Sequence, residues 1–203
     1  MKRLLIFSGL LFLIALGWRM FFTSGPAIRN QGATGPIVSF GDSLTSGYGS
    51  STGMDYPAQL ARLIGRPVIN AGKPGDTTES ALKRLERDVL SLAPGLVFIT
   101  LGGNDLKNGV ARDTAFANLT AIIEAIQAEG ALVVVGGIRM AVWDRGYGNA
   151  YRQVCDRTGA VLVEDILGRI MGNSELMSDS IHPNDAGYRI MAERFYEAAR
   201  PYL

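Results

Sequence analysis

The sequence predicts an α/β fold: a three-layer α/β/α sandwich around a flavodoxin-like, doubly wound, five-stranded parallel sheet. From Pro36 onward, short apolar runs rich in β-branched residues alternate with amphipathic stretches at helical spacing. Such alternation is typical of βαβ units, whose strands pair in parallel. The apolar runs lack a polar face, which indicates a sheet covered by helices on both sides.

Five apolar runs are the predicted strands, at residues 37–40, 68–70, 96–101, 132–135 and 161–163. Three helices are predicted from apolar stripes at helical spacing, formed by Leu82, Leu85, Val89 and Leu92, by Phe116, Leu119, Ile123 and Ile126, and by Met191, Phe195 and Ala198. The run 76–79 resembles a capping box, with Asp76 as N-cap and Glu79 at N3. Asp113 is a possible N-cap of the second helix and Gly130 its stop.

The N-terminus differs from the rest of the chain. Lys2 and Arg3 precede an apolar run at 4–18, a pattern typical of export signals. A helix through residue 22 would be about 28 Å long, enough to cross a bilayer. We therefore predict a signal peptide or uncleaved anchor at 1–22, a linker at 23–35 and a folded domain at 36–203. The absence of a clear cleavage site favours the anchor, and a cleaved signal is the alternative. In either case we expect a periplasmic domain, tethered to the inner membrane or released.

Composition excludes several function classes. A formal net charge of +1 with 19% charged residues gives no basic surface for nucleic acid. Cys155 is the only cysteine, so no intramolecular disulfide can form, and its helical, apolar surroundings predict a buried side chain. One histidine and one cysteine cannot supply the usual zinc ligands. We expect neither a metal nor a cofactor.

Four polar clusters are expected at the carboxyl ends of the predicted strands or beside them, where sites form in such sheets. They lie at residues 41–43, 70–75, 102–105 and 179–182. Ser43, Asp179 and His182 follow the chain order nucleophile, acid, base that is found in α/β hydrolytic enzymes. A neutral imidazole can accept a hydroxyl proton, and a carboxylate can hold it in the required tautomer. Taken alone, a serine after a strand favours a helix N-cap, whereas the later Asp-x-x-His in the right chain order favours Ser43 as a nucleophile.

The sequence around Ser43 lacks the G-x-S-x-G motif, so we expect Ser43 on the first turn of a helix or in a loop. Pro183 disfavours helical geometry at His182, which predicts a loop followed by a helix capped by Asn184 or Asp185. The side chain of Asn104 and the backbone N–H groups of Gly75 and Ser43 are candidate oxyanion donors. We expect Asp42 and Asp105 to organise loops through hydrogen bonds.

Together the four clusters resemble the signature blocks of the SGNH, or GDSL, hydrolase family. The resemblance runs from about residue 37 to the C-terminus and implies a serine ester hydrolase. It assigns Ser43 as nucleophile, His182 as base with Asp179 as partner, and Ser43, Gly75 and Asn104 as the oxyanion hole. Within the family, the chain is similar to small bacterial acyl hydrolases with arylesterase, thioesterase and lysophospholipase activities. Residues 105–113 depart from that pattern.

The substrate is less clearly indicated. Several apolar or aromatic side chains in predicted loops could line an acyl groove or pack in the core: Tyr48, Met54, Val110, Met140, Trp143 and Tyr147. A carbohydrate O-acetyl esterase is an alternative, although 8% aromatic residues give few platforms for sugars. A non-catalytic, membrane-tethered binding module of the same fold is a further alternative.

Overall fold

A computed structural model describes residues 27–32, 34–139 and 146–203. Its centre is a five-stranded, all-parallel sheet with strand order β2-β1-β3-β4-β5, which is the flavodoxin-like order. The strands are β1 (Ile37–Gly41), β2 (Val68–Gly72), β3 (Leu96–Thr100), β4 (Leu132–Gly136) and β5 (Val161–Val163). The predicted fold class is confirmed.

Seven helices lie in the described part of the chain: α1 (Ser43–Ser46), α2 (Tyr56–Ile64), α3 (Thr78–Asp88), α4 (Gly103–Lys107), α5 (Arg112–Ala128), α6 (Tyr147–Thr158) and α7 (Asp185–Ala199). Short 3₁₀ turns at Leu90–Leu92 and Arg200–Tyr202 follow α3 and α7. Helix α2 packs against α7, whereas α5 packs between α3 and α6 and contacts both. Every residue of β1, β3 and β4 is buried, so helices cover both faces of the central sheet.

The expectation of a fully covered sheet is wrong for β2. This strand forms one edge of the sheet, and Ile69 is 40% exposed. An edge strand has a neighbouring strand on one side only, so its side chains are more exposed to solvent than those of the central strands. Beyond α3, Leu92 is also exposed, because the helix ends at Asp88 and a 3₁₀ turn redirects the chain.

Two of the predicted helix starts are corrected. The N-cap of α3 is Thr77, whose hydroxyl accepts from Ser80 N while the Ser80 hydroxyl accepts from Thr77 N. This shifts the capping box by one residue from the predicted pair, Asp76 and Glu79. Helix α5 begins after Ala111 without a side-chain cap, and Asp113 lies inside its first turn. An acidic residue there still interacts favourably with the helix dipole.

Part of the predicted linker contacts the domain. The Asn30 side-chain amide donates to Gln127 O at 2.8 Å and to Ala131 O at 2.9 Å, and Arg29 N donates to Gly159 O at 3.0 Å. The predicted signal or anchor at 1–22 lies outside the described residues. Within the described residues, no helix is both long and apolar enough to span a bilayer.

We expect Asn30→Ala, made in a protein that starts at residue 27, to lower the free energy of unfolding by about 1–2 kcal/mol. The reason is that the carbonyls of Gln127, in the last turn of α5, and Ala131, just after it, lose the hydrogen bonds that the Asn30 amide donates. Urea denaturation followed by circular dichroism measures the change. Gln31→Ala is the matched control, because the Gln31 amide donates only to Ile28 O in an exposed turn. Equal midpoints for the two variants would contradict a structural role for Asn30.

Candidate active site

Ser43 is the first residue of α1, directly after β1. Asp42 is the N-cap, and its carboxylate oxygen Oδ1 accepts from Leu44 N at 3.0 Å. Backbone N–H groups in the first turn of a helix have no intrahelical partner, so the N–H of Ser43 is available as a donor. This agrees with the expectation that Ser43 sits on the first turn of a helix.

Hydrogen bonds between buried hydroxyl groups fix the position of helix α1. The Thr45 hydroxyl lies 2.9 Å from the hydroxyl of Tyr56 and 2.5 Å from that of Thr100. The end of β2 approaches the helix so closely that a Cβ on Gly72 would collide with the backbone of Thr45 and Ser46. Because α1 has only four residues, these contacts and the Asp42 cap set its position.

Ser43, His182 and Asp179 form a continuous hydrogen-bonded chain. His182 Nε2 lies 3.0 Å from Ser43 Oγ, and His182 Nδ1 lies 2.8 Å from Asp179 Oδ2. The other carboxylate oxygen of Asp179 accepts from Ile181 N and His182 N, each at 2.7 Å. These donors lower the pKa of Asp179 to about 2, the His182 side chain contributing most. An ionised Asp179 keeps the proton on Nδ1, so the lone pair of Nε2 faces the serine.

The loop that carries His182 is braced on two sides. Ser178 N donates to His182 O at 2.9 Å, and Asn184 caps α7 by accepting from Ala186 N and Gly187 N. The ring of Tyr48 packs against the imidazole with centroids 4.5 Å apart and planes tilted by 48°. The expected loop at His182 and the cap at Asn184 are both present.

Asn104 lies in the first turn of α4 and points its amide at two acceptors. Nδ2 donates to Asp76 O at 2.9 Å and lies 3.3 Å from Asp42 Oδ2. Gly102, two residues earlier, is the N-cap of α4 and has φ +115°, a conformation that L side chains rarely adopt. The shared neighbour Asp42 places the amide of Asn104 beside the start of α1.

Gly75 precedes Asp76 in the exposed loop between β2 and α3 and has φ +84°. It does not line the pocket around Ser43, although the Asn104 amide contacts the adjacent residue Asp76. Behind this loop, the fully buried Asp105 accepts from Thr78 N at 2.9 Å and from the Thr78 hydroxyl at 2.7 Å. Asp42 and Asp105 are thus loop organisers, as expected.

Burial raises the pKa of two titratable side chains, one in the site and one away from it. Burial raises the pKa of Asp42 from 3.8 to about 7. The pKa of Cys155 rises to about 12 for the same reason, so this thiol remains protonated and is not a competing nucleophile. Among the described residues, no three or more histidine, cysteine or acidic side chains group in a way that could hold a metal ion.

A cavity of about 470 Å³ opens beside Ser43. Most of its wall is apolar, and Lys107 is the one cation among the described lining residues. The apolar members are Leu44, Leu106, Ile138, Leu167, Met171 and Ile181. Leu106 and Lys107 belong to the segment that departs from the family pattern. Sequence reasoning missed Ile138, Leu167, Met171 and Ile181, since no periodic pattern marks the loops that hold them.

The predicted acyl-groove residues lie elsewhere or outside the described residues. Tyr147 is only 2% exposed and packs edge-on against Phe116 in the core, with ring centroids 5.0 Å apart, so its predicted groove position is corrected. Val110 is half-buried against the core, and Tyr48 contacts His182 without lining the cavity. Met140 and Trp143 lie outside the described residues.

The chain is similar in sequence to known hydrolases. A family model described as the GDSL-like lipase/acylhydrolase family matches residues 39–190. The chain belongs to this family. It is 28% identical to esterase TesA of Pseudomonas aeruginosa over 99% of this chain and 100% of that protein. It is 27% identical to thioesterase 1/protease 1/lysophospholipase L1 of Escherichia coli (strain K12) over 84% and 86% of the two chains.

The same family is found by structure. A crystal structure of TesA gives a TM-score of 0.78 at 28% identity, covering 83% of this chain and 99% of that one. The predictions of a GDSL-type family and of an ester hydrolase are therefore confirmed at the level of the enzyme class.

We expect Asn104→Ala to lower kcat by about 100- to 1000-fold with a much smaller change in KM, because the lost amide would bind the oxyanion more strongly than the ground-state carbonyl. Steady-state kinetics with a soluble aryl ester measures both constants. Asn108→Ala is the matched control, since Asn108 is an exposed asparagine at the other end of α4. A rise in KM alone would assign Asn104 to substrate binding instead.

Asp42→Asn should stabilise the fold at neutral and alkaline pH while lowering kcat. Since the pKa of Asp42 is about 7 in the fold against 3.8 in the unfolded chain, the unfolded state loses its proton first. Ionisation of Asp42 therefore lowers stability as the pH rises from about 4 to about 7. Asparagine can still accept from Leu44 N, but its Nδ2 cannot accept from Asn104.

Urea denaturation of both proteins at pH 4 and pH 8 tests this expectation. The variant should gain stability over the wild type only at the higher pH. Asp113→Asn, at a side chain 89% exposed, is the control and should show no such difference. An equal gain at both pH values would mean that burial does not perturb Asp42.

Proposed function

We propose that this protein hydrolyses carboxylic esters through an acyl-serine intermediate formed on Ser43. The observation that supports it best is the chain from Asp179 through His182 to Ser43, with contacts of 2.8 and 3.0 Å. A serine beside a base, with the base oriented by a third group, is the arrangement that activates a hydroxyl nucleophile. The roles of these side chains are part of the proposal.

In the first half of the reaction, His182 Nε2 takes the proton of Ser43 while Oγ attacks the ester carbonyl. The tetrahedral oxyanion would accept hydrogen bonds from Ser43 N, Gly75 N and the Asn104 amide. The imidazolium then gives its proton to the leaving alcohol or thiol as the C–O or C–S bond breaks. Throughout, the ionised Asp179 stabilises the imidazolium without taking the proton itself.

In the second half, water replaces the leaving group. His182 accepts a proton from the water molecule while the water oxygen attacks the acyl-serine carbonyl. The same three donors stabilise the second oxyanion. Collapse of this intermediate returns the proton to Ser43 Oγ and releases the carboxylic acid. No step requires a metal or cofactor, because all proton transfers involve His182.

The cavity wall favours an apolar acyl group. Leu106, Ile138, Leu167 and Met171 present hydrocarbon within the same cavity as Ser43. An acyl chain buried there gains about 0.8 kcal/mol per CH₂, whereas a sugar would leave its hydroxyls without partners. Aryl esters, acyl thioesters and lysophospholipids are therefore the proposed substrates. Lys107, at the same cavity, could pair with the phosphate of a lysophospholipid.

Location is a second part of the proposal. The basic start and the apolar run at residues 4–18 support export, with the catalytic domain in the periplasm and either tethered to the inner membrane or released after cleavage. The intact mass of the exported protein separates these two outcomes.

The experiment that tests the function combines a covalent label with a substrate series. Wild type should hydrolyse p-nitrophenyl esters and incorporate one fluorophosphonate per chain, whereas Ser43→Ala should lose activity by about a thousandfold or more and incorporate none. Ser50→Ala is the matched control, because its hydroxyl bonds Gly47 O in the next loop. Turnover that persists in Ser43→Ala would refute the proposal.

The series itself should contain acyl chains of increasing length, acyl thioesters, lysophospholipids and acetylated sugars. We expect kcat/KM to rise with chain length until the cavity is filled and to be lowest for the acetylated sugars. The opposite order would favour a carbohydrate O-acetyl esterase.

A further inference from the structure

Arg84 is an arginine buried in the middle of α3, with a side chain 7% exposed. Its guanidinium lies over the Phe40 ring, 4.3 Å from the centroid, and donates to four groups. Two are carboxylates: Nε to Asp76 at 2.5 Å and Nη1 to Asp88 at 2.9 Å. Two are strand-end carbonyls: Nη2 to Gly41 O at 2.9 Å and Nη1 to Ala71 O at 3.0 Å.

Three of the four acceptors lie on backbone segments that lead to the candidate site, and the fourth, Asp88, is on α3 itself. Gly41 ends β1 two residues before the nucleophile, and Ala71 lies near the end of β2 on the path to Gly75. Asp76 directly follows Gly75, and its backbone carbonyl accepts the amide of Asn104 at 2.9 Å. One rigid, planar group therefore joins the backbone that leads to Ser43, the backbone that presents Gly75 and the acceptor that orients Asn104.

Stability alone does not explain this arrangement. A buried ion pair often contributes little net stability, because desolvation offsets the attraction between its charges. An apolar side chain at position 84 would suit the buried stripe formed by Ala81 and Leu85 on α3 and by Val89 at its C-cap. What an apolar residue cannot do is bind a carboxylate and two carbonyls from different strands in one fixed geometry.

We propose that Arg84 is a positioning residue for ester hydrolysis, holding the three oxyanion donors in a common frame through Asp76, Gly41 and Ala71. This inference rests on the proposed function. Arg84 does not line the cavity and touches no reacting atom. Its effect passes through the Asp76 backbone to Gly75 N and Asn104 Nδ2, and through Gly41 to the start of α1.

The double variant Arg84→Met/Asp76→Asn separates positioning from folding. It replaces both charged members of the buried pair by neutral side chains, so no unpaired charge remains buried at position 76. Arg84→Lys is the second variant. It keeps the positive charge near Asp76 but cannot reach both strand-end carbonyls. Lys83→Met is the matched control, because Lys83 is on the same helix with a side chain 72% exposed, and its ion-pair partner Glu79 is not an acceptor of Arg84.

Three quantities are measured on each protein. Titration with a fluorophosphonate gives the fraction of chains with a reactive Ser43, steady-state kinetics gives kcat per titrated site and KM, and inhibition by an alkyl boronic acid gives Ki. The boronic acid forms a tetrahedral anion on the serine, so its affinity reports on the oxyanion hole as a transition-state analogue does.

We expect kcat per titrated site to fall by about 10- to 100-fold in both Arg84 variants, with KM within about threefold of wild type and Ki raised by the same factor as kcat falls. Lys83→Met should match wild type. A purely structural role would lower only the titrated fraction and leave kcat per site and Ki unchanged, which would overturn the inference. If wild type itself neither turns over esters nor reacts with the label, the proposed function fails instead.

Discussion

The buried carboxylate of Asp42 is the group on which the geometry of the site depends. One oxygen caps α1 through Leu44 N at 3.0 Å, and the other lies 3.3 Å from the amide of Asn104. The same side chain therefore caps the helix that presents Ser43 and contacts the Asn104 amide, which would donate a hydrogen bond to the oxyanion. Burial raises its pKa to about 7, so its charged form is destabilised in the fold. Functional sites typically contain groups that lower the stability of the fold while they organise the site, and Asp42 is such a group.

Two further buried carboxylates extend this organisation. Asp105 accepts from the backbone and hydroxyl of Thr78, which ties α4 to the start of α3. Asp76 accepts from Arg84 and from the Ser80 hydroxyl, which ties the loop after β2 to the body of α3. Each carboxylate has donors from a different element, so the loops at this edge of the sheet cannot move independently. Buried hydrogen bonds of this kind are strong in a low-dielectric interior and favour a single arrangement of the edge.

The sequence predicted the fold and the side chains that meet at its edge, Ser43, His182 and Asp179, because both leave local patterns. Ser43 follows an apolar run, and the spacing of Asp179 and His182 suits a single turn, so neither required knowledge of tertiary contacts. Arg84 left no such signal. In a helix rich in charged residues it resembles a solvated side chain, and only packing against Phe40 and Asp76 reveals its burial.

Other misses have the same origin. The sequence predicts Tyr147 in a loop near the site, yet Tyr147 begins α6 and packs against Phe116. The cavity wall is built from Leu167 and Met171, whose segment has no helical or strand period. Side chains contributed by irregular segments depend on how the chain is routed, which periodicity does not encode.

The turn that contains Asp179 couples the proposed catalytic base to the proposed acyl site. One carboxylate oxygen bonds the imidazole, and the other bonds the backbone of Ile181 and His182 at 2.7 Å each. The same turn that sets the imidazole orientation also places Ile181 in the cavity wall. A change in acyl specificity through Ile181 therefore alters the packing next to the base, whereas the same change at Met171 or Leu167 acts on a segment separate from that turn. Acyl specificity can therefore vary more freely at Met171 and Leu167 than at Ile181.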